Sequence, residues 1–212
     1  TYPQGEAFAA PIGFHYLEPP IGSAGLERYR NEYLTGKAET GLQGVLNQLQ
    51  GKTPAGDKVI TTLDPGAQAV ALSQLAGHEG AVVALDPRTG AVTVMASSPS
   101  YNPNALRSAA GRRALAAGEA ATPPTSSQVN RALQFGYAPG STFKIVTATA
   151  AIDTGTFTPE STLSGRNDLV VSGVPLQNDQ NENFGQITLT HALAQSVNTV
   201  WAQVAEKLGK PT

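Results

Sequence analysis

Ala138-Pro139-Gly140-Ser141-Thr142-Phe143-Lys144 is the stretch on which the reading of this chain turns. Its Pro-Gly pair punctuates the backbone. Ser141 and Lys144 follow, two residues apart. Then comes Ile145-Val146-Thr147-Ala148-Thr149-Ala150-Ala151-Ile152, an apolar, alanine-rich run that predicts a mostly buried helix ending near Asp153-Thr154-Gly155. If Ser141 opens that helix, Lys144 lies one turn up on the same face. A hydroxyl then sits beside an amine at a positively polarised helix end, the requirement for an activated nucleophile. A lysine on a largely apolar helix must find a partner or give up its charge. Desolvation lowers its pKa, so that the neutral amine can serve as a base. By itself, Ser-x-x-Lys also fits a helix-capping serine followed by a solvated lysine.

Downstream, residues 156–187 are polar and turn-rich, with a short strand expected at Leu169-Val170-Val171. A strong helix is expected from Thr188 or Thr190 onwards. Leu193, Val197, Val200, Trp201, Val204 and Leu208 form its apolar stripe, and Gly209 and Pro211 end it. Ser196-Val197-Asn198 falls near its start. Taken alone, these two polar residues also suit an ordinary exposed helix face.

Upstream, Val59–Leu63 reads as a strand leading into a helix capped by Asp64 with Pro65 at its first position. Gly80–Leu85 and Ala91–Ala96 read as a β-hairpin joined by Asp86-Pro87-Arg88-Thr89-Gly90. Both strands are apolar on both faces, which predicts a central position covered by helices. Residues 97–128 read mostly as loop, with a weak helix over 112–120. Asn130-Arg131-Ala132-Leu133 leads into the opening motif. Residues 1–58 are rich in Gly and Pro, with one short helix expected over 25–34. The order of elements favours an α+β fold with helices flanking an antiparallel sheet, behind a small N-terminal module.

Composition narrows the function. In 212 residues, 40% are hydrophobic and 14% charged, with a net charge of −2. Such a chain can bury a core. No basic block is present, which argues against a nucleic-acid partner. Cysteine is absent, which excludes disulfides and thiolate metal sites. His15, His78 and His191 lack metal-ligand spacing, so no metal or cofactor is expected. No apolar run approaches the ~18 residues a membrane span needs, and no signal peptide is visible at Thr1.

Together, Pro139-Gly140-Ser141-Thr142-Phe143-Lys144 and Ser196-Val197-Asn198 resemble two motifs of the transpeptidase domain of penicillin-binding proteins. The resemblance extends to Thr61–Gln68, Gly80–Gly90 and Ala96–Asn104, which look like that family's opening helix, first two sheet strands and following loop. Tyr2–Gly5, Gly25–Tyr29 and Leu34–Gly36 look like the end of the non-catalytic module of class B, monofunctional members. The implied division is 1–58, the end of that module, and 59–212, the N-terminal part of the transpeptidase domain.

The resemblance implies a D,D-transpeptidase that cross-links peptidoglycan stem peptides and is trapped by β-lactam antibiotics. Ser141 would attack the D-Ala-D-Ala carbonyl, with its backbone N–H in the oxyanion hole. Lys144 would take the hydroxyl proton. Ser196 would relay a proton to the leaving nitrogen. Asn198 would bind the substrate amide and help to hold Lys144. The expected location is the outer face of the bacterial cytoplasmic membrane, among the cell-wall synthesis machinery of growth or division, with an anchor outside this chain.

Other outcomes on the same fold are a D,D-carboxypeptidase, a β-lactamase or a non-catalytic penicillin-binding sensor. Asp179, Glu182 and Glu206 offer no convincing deacylating glutamate. The family's third motif, Lys-Ser/Thr-Gly, is missing, since Lys52-Thr53-Pro54 lacks the glycine and precedes Ser141. Both ends look cut. This chain alone is therefore expected to be inactive or unstable: either it is a fragment, or the remaining C-terminal part exists as a separate chain.

Overall fold

A computed structural model of the chain describes residues 1–16, 22–36, 56–119 and 126–209. These fall into two compact units, Thr1–Gly136 and Tyr137–Thr212.

The first unit begins with short pieces, as its Gly- and Pro-rich sequence leads one to expect. α1 (Ala9–Ile12) runs into a two-residue antiparallel ladder of β1 (Phe14–His15) and β2 (Ser23–Ala24). The helix expected over 25–34 is two helices, α2 (Gly25–Tyr29) and α3 (Asn31–Leu34). Arg30 interrupts them at φ −111°, ψ 17°. Neither buries a residue, and Tyr29 is exposed, so the aromatic residues there do not form a core stripe. Val59–Leu63 is not a strand. It runs beside the hairpin and makes single bonds, with Thr62 Oγ1 donating to Val92 O and Asp64 N–H to Thr93 O.

α4 (Pro65–Gln74) forms as its ends dictate: the Asp64 carboxylate accepts from Ala67 N–H at 2.8 Å, and Pro65 occupies the first turn. β3 (Gly80–Leu85) and β4 (Val92–Ser98) make the expected hairpin, in the register Val82↔Ala96 and Ala84↔Val94. That face, with Val82, Ala84, Val94 and Ala96, packs on Ala71 and Leu75 of α4. On the opposite face Val83 and Leu85 are exposed. The hairpin is thus a two-stranded ladder among the described residues, and not a strand pair covered on both sides. Apolar residues on both faces do not tell which face is occupied.

Gln68 is fully buried between these layers. Its amide donates to Ala7 O and Met95 O, both at 2.7 Å, and accepts from Met95 N–H. It thereby serves β4 as a substitute strand partner. Residues 97–128 hold more structure than expected: a 3-10 turn at Pro103–Arg107 and an eleven-residue helix, α5 (Ala109–Glu119). Leu106 and Leu115 pack there with Phe14. Asn104 exchanges hydrogen bonds with the Tyr2 backbone. α6 (Arg131–Gln134) closes the unit, capped by Asn130.

The second unit has a core of Ala148, Ala151, Phe157, Ile187, Leu189, Ala192, Val197, Val200, Trp201 and Val204. α7 (Phe143–Asp153) supplies Ala148 and Ala151, two of its three alanines, to that core. Phe143, Ile145, Val146 and Ile152 are each half exposed or more, so α7 is not the mostly buried helix expected. Ala148 and Ala151 face the core, and the bulky residues do not. The expected strand forms as β6 (Leu169–Val171). Three more accompany it: β5 (Thr162–Ser164), β7 (Val174–Leu176) and β8 (Gln186–Thr188). β6 pairs with β7 and β5 with β8, both antiparallel. At three residues each, they are too short for a period-two pattern to show.

The last expected helix is two. α8 (Leu189–Ala194) is capped by Thr188, and α9 (Asn198–Leu208) follows a break. The apolar stripe hides the break, because Leu193 and Val197 keep helical spacing across it. Among the described residues no helix is long and apolar enough to cross a membrane.

Candidate active site

Everything singled out around the two motifs lies in the second unit. Pro139 and Gly140 turn the chain, with Gly140 at φ +53°. A side chain there would meet no neighbour within 4 Å, so the glycine is required by the backbone conformation and not by space. Ser141 sits in the resulting 3-10 turn, Gly140–Thr142, one step before α7. It does not open the α-helix itself. It is exposed and lines a cavity of about 540 Å³. Among the described residues nothing accepts a hydrogen bond from its backbone N–H, as is usual at a helix start.

Lys144 is half-buried, in the first turn of α7. Its amine donates to three oxygens: Ser196 O at 2.6 Å, Ser196 Oγ at 2.9 Å and Asn198 Oδ1 at 2.6 Å. Burial of the amine lowers its pKa from the ordinary lysine value. The acceptors are neutral, and no ion pair to Lys144 occurs among the described residues.

The break between α8 and α9 is what presents Ser196. Ser196 N–H bonds back to Leu193 O and Val197 N–H to Ala192 O. This is a helix C-terminal motif of the Schellman type, with Ser196 in the left-handed position usually held by glycine. Its φ is +53°. Val197, 1% exposed, is the buried apolar residue that completes the motif. The left-handed turn points both the carbonyl and the hydroxyl of Ser196 at one amine. A continuous helix would turn that carbonyl along the axis, towards residue 200.

Asn198 begins α9. Its Nδ2 donates to Gln177 O at 2.9 Å, which fixes the amide so that Oδ1 faces Lys144. The cavity beside Ser141, Ser196 and Asn198 is closed by Gln177, Asn178, Asp179, Gln180, Asn181 and Gln195. Asp179 lies in the polar, turn-rich stretch 156–187 evident in the sequence, but nothing in the sequence alone singles out Gln177 or Asn178. The one available signal is an unbroken polar run, Gln177–Asn183, shortly before β8. Among the described residues no three His, Asp or Glu side chains could hold a metal ion.

Residues 80–212 match the sequence profile of the penicillin binding protein transpeptidase domain. The chain belongs to the penicillin-binding protein transpeptidase family. Within this transpeptidase family it is 34% identical, over 222 aligned positions, to the peptidoglycan D,D-transpeptidase PbpA of Mycolicibacterium smegmatis, covering 99% of this chain and 44% of that protein. It is 34% identical to the peptidoglycan D,D-transpeptidase MrdA of Escherichia coli, covering 89% of this chain and 31% of that one. The chain thus spans less than half the length of these relatives. Among solved structures, penicillin-binding protein A of Mycobacterium tuberculosis superposes with a TM-score of 0.86 at 31% identity, covering 99% of this chain and 50% of that chain. The same protein as an imipenem acyl-enzyme complex superposes at 0.84 and 30% identity, over 99% of this chain and 50% of that one. The α+β architecture expected from the sequence is the one these neighbours share.

Proposed function

We propose that this chain is part of a class B penicillin-binding protein that cross-links peptidoglycan stem peptides by serine acyl transfer. Residues 1–58 would be the end of its non-catalytic module, although those of them that the structure describes fall in the same compact unit as the hairpin. The observation that carries the reading is the triple hold on Lys144. An ammonium has three N–H donors in use here, whereas a neutral amine has two and a lone pair. The two carbonyl oxygens can only accept. When Lys144 is neutral, its lone pair therefore faces Ser196 Oγ or an incoming hydroxyl, and the lowered pKa favours that form.

The steps follow. Ser141 Oγ attacks the carbonyl carbon of the penultimate D-alanine while Lys144 takes the hydroxyl proton. The free Ser141 N–H donates to the developing oxyanion. As the amide C–N bond breaks, the proton passes from Lys144 through Ser196 Oγ to the leaving D-alanine nitrogen. An amine of a second stem peptide then attacks the ester and releases Ser141. A β-lactam carbonyl would enter the same path and leave the serine acylated. Peptidoglycan lies outside the cytoplasmic membrane, which places the reaction there, beside the other cell-wall enzymes.

The β-lactamase reading is disfavoured by Glu206, whose carboxylate accepts from Ser172 N–H and Oγ–H. The test is incubation of the full-length protein with a labelled penicillin. A slowly decaying adduct on Ser141, absent in Ser141→Ala, is expected. Equal labelling of the wild type and the variant, or no labelling, would refute acylation at Ser141. Rapid turnover would favour hydrolysis, and an adduct without cross-linked product from stem peptides would favour a sensor.

A further inference from the structure

We infer that Asn178 is a positioning residue for Lys144, acting through the orientation of the Asn198 amide; this rests on the acyl-transfer reading above. Asn178 is 4% exposed. Its side chain uses all four of its hydrogen-bonding positions. Nδ2 donates to Gly165 O at 2.9 Å and to Glu182 O at 3.0 Å. Oδ1 accepts from Thr199 N–H and from Thr199 Oγ1, both at 3.1 Å. One carboxamide therefore ties the end of β5, the loop before β8 and the first turn of α9 together. Its own N–H donates to Asn167 Oδ1 at 2.8 Å.

The consequence lies one residue back. With Asn178 clamped to Thr199, the carbonyl of Gln177 is held against Asn198, each one residue before its clamped neighbour. That carbonyl can only accept, so it selects the Asn198 rotamer that directs Nδ2 to it. Oδ1 is then left for Lys144 at 2.6 Å. If Gln177 O moves away, the Asn198 amide can turn over. Its NH2 would then face an amine that already donates to Ser196, and donor would meet donor. Lys144 would lose one of the three acceptors that fix its amine. The Asp168 carboxylate braces this network from its far side, accepting from Asn167 Nδ2 and Gln177 Nε2. The control is geometric. Asn178 makes no hydrogen bond to Lys144 or Ser141, yet it decides which atom of Asn198 Lys144 meets.

The test is a double-mutant cycle in the full-length protein, read as the rate of Ser141 acylation by a penicillin. Asn178→Ala should slow acylation roughly 10- to 100-fold, the usual cost of a misplaced catalytic group. Asn198→Ala should slow it as well. Asn178→Ala added to Asn198→Ala should change nothing further, because the residue through which it acts is gone. Should Asn178→Ala not fold, Thr199→Val takes its place in the cycle with a smaller, several-fold loss, and Thr199→Ser should restore the wild-type rate. A fully additive cycle would overturn the inference, because it would mean that Asn178 only supports the fold. A second readout does not depend on acylation. The Asn198 side-chain NH2 should exchange slowly with solvent in the wild type and rapidly in the Asn178 or Thr199→Val variant. Fast exchange in the wild type would also overturn it. A wild type that never labels Ser141, but keeps this exchange difference, would defeat the enzymatic reading and leave the positioning contact standing.

Discussion

The left-handed conformation of Ser196 makes a prediction in which stability and activity separate. A non-glycine residue in that conformation costs ~1–2 kcal/mol. Glycine avoids the cost but loses ~0.5–1 kcal/mol more backbone freedom on folding. Ser196→Gly and Ser196→Ala both delete the hydroxyl that meets Lys144, so that loss cancels between them. What remains is the backbone at φ +53°. The glycine variant should therefore be the more stable of the two, by roughly 0.5–1 kcal/mol after the opposing entropy is subtracted. With a urea dependence of about 2 kcal/mol per molar, its denaturation midpoint should lie roughly 0.4 M higher. Acylation should behave differently. Both variants lack the hydroxyl, and both should lose a proton-transfer contribution of about 10²–10⁴-fold. The assay pairs urea denaturation of the full-length protein with the rate of penicillin labelling at Ser141. If the alanine variant were as stable as the glycine variant, the left-handed turn would not be what holds Ser196. If either variant labelled at the wild-type rate, Ser196 would carry no proton.

Two further outcomes follow from other contacts. Lys144 has its pKa lowered by burial, and only its neutral form can take the Ser141 proton. Acylation should therefore climb as pH rises through that lowered pKa and level off above it; Lys144→Arg, which stays protonated, should lose about 10²–10⁴-fold together with that limb, and a limb unchanged in the variant would assign it to another group. Gln68→Leu would strip partners from Ala7 O, Met95 O and Met95 N–H around a fully buried side chain of this half-buried layer; at ~1–3 kcal/mol for each unpaired group that water does not reach, a loss of about 3 kcal/mol is expected in chemical denaturation, and one below ~1 kcal/mol would mean that the layer opens to water.

Some of this protein is decided within a few neighbouring residues, and that part is legible in the sequence. Asp64-Pro65 starts α4 because a carboxylate can reach the N–H three residues on, and Asp86–Gly90 turns the hairpin. Pro139-Gly140 places Ser141 at the mouth of α7. Ser141-x-x-Lys144 and Ser196-x-Asn198 mark the candidate site, because a hydroxyl, an amine and two more polar groups are an uncommon set beside helices this apolar. The tertiary structure decided the rest. The stripe from Leu193 to Leu208 has helical spacing throughout, so nothing in it marks the break that makes the Ser196 carbonyl available to Lys144. A Schellman turn with serine in place of glycine is stabilised by burial of Val197 and by contacts fifty residues away. The exposed flank of α7 and the open face of β3 and β4 are as apolar as their buried sides, so periodicity could not separate them. Asn178 lies in a run of polar residues, where any one of them could have been the buried one. Local chemistry names the groups that react; which atoms of those groups meet is set by long-range packing, because an amide or a carbonyl takes its direction from partners that the neighbouring sequence does not contain.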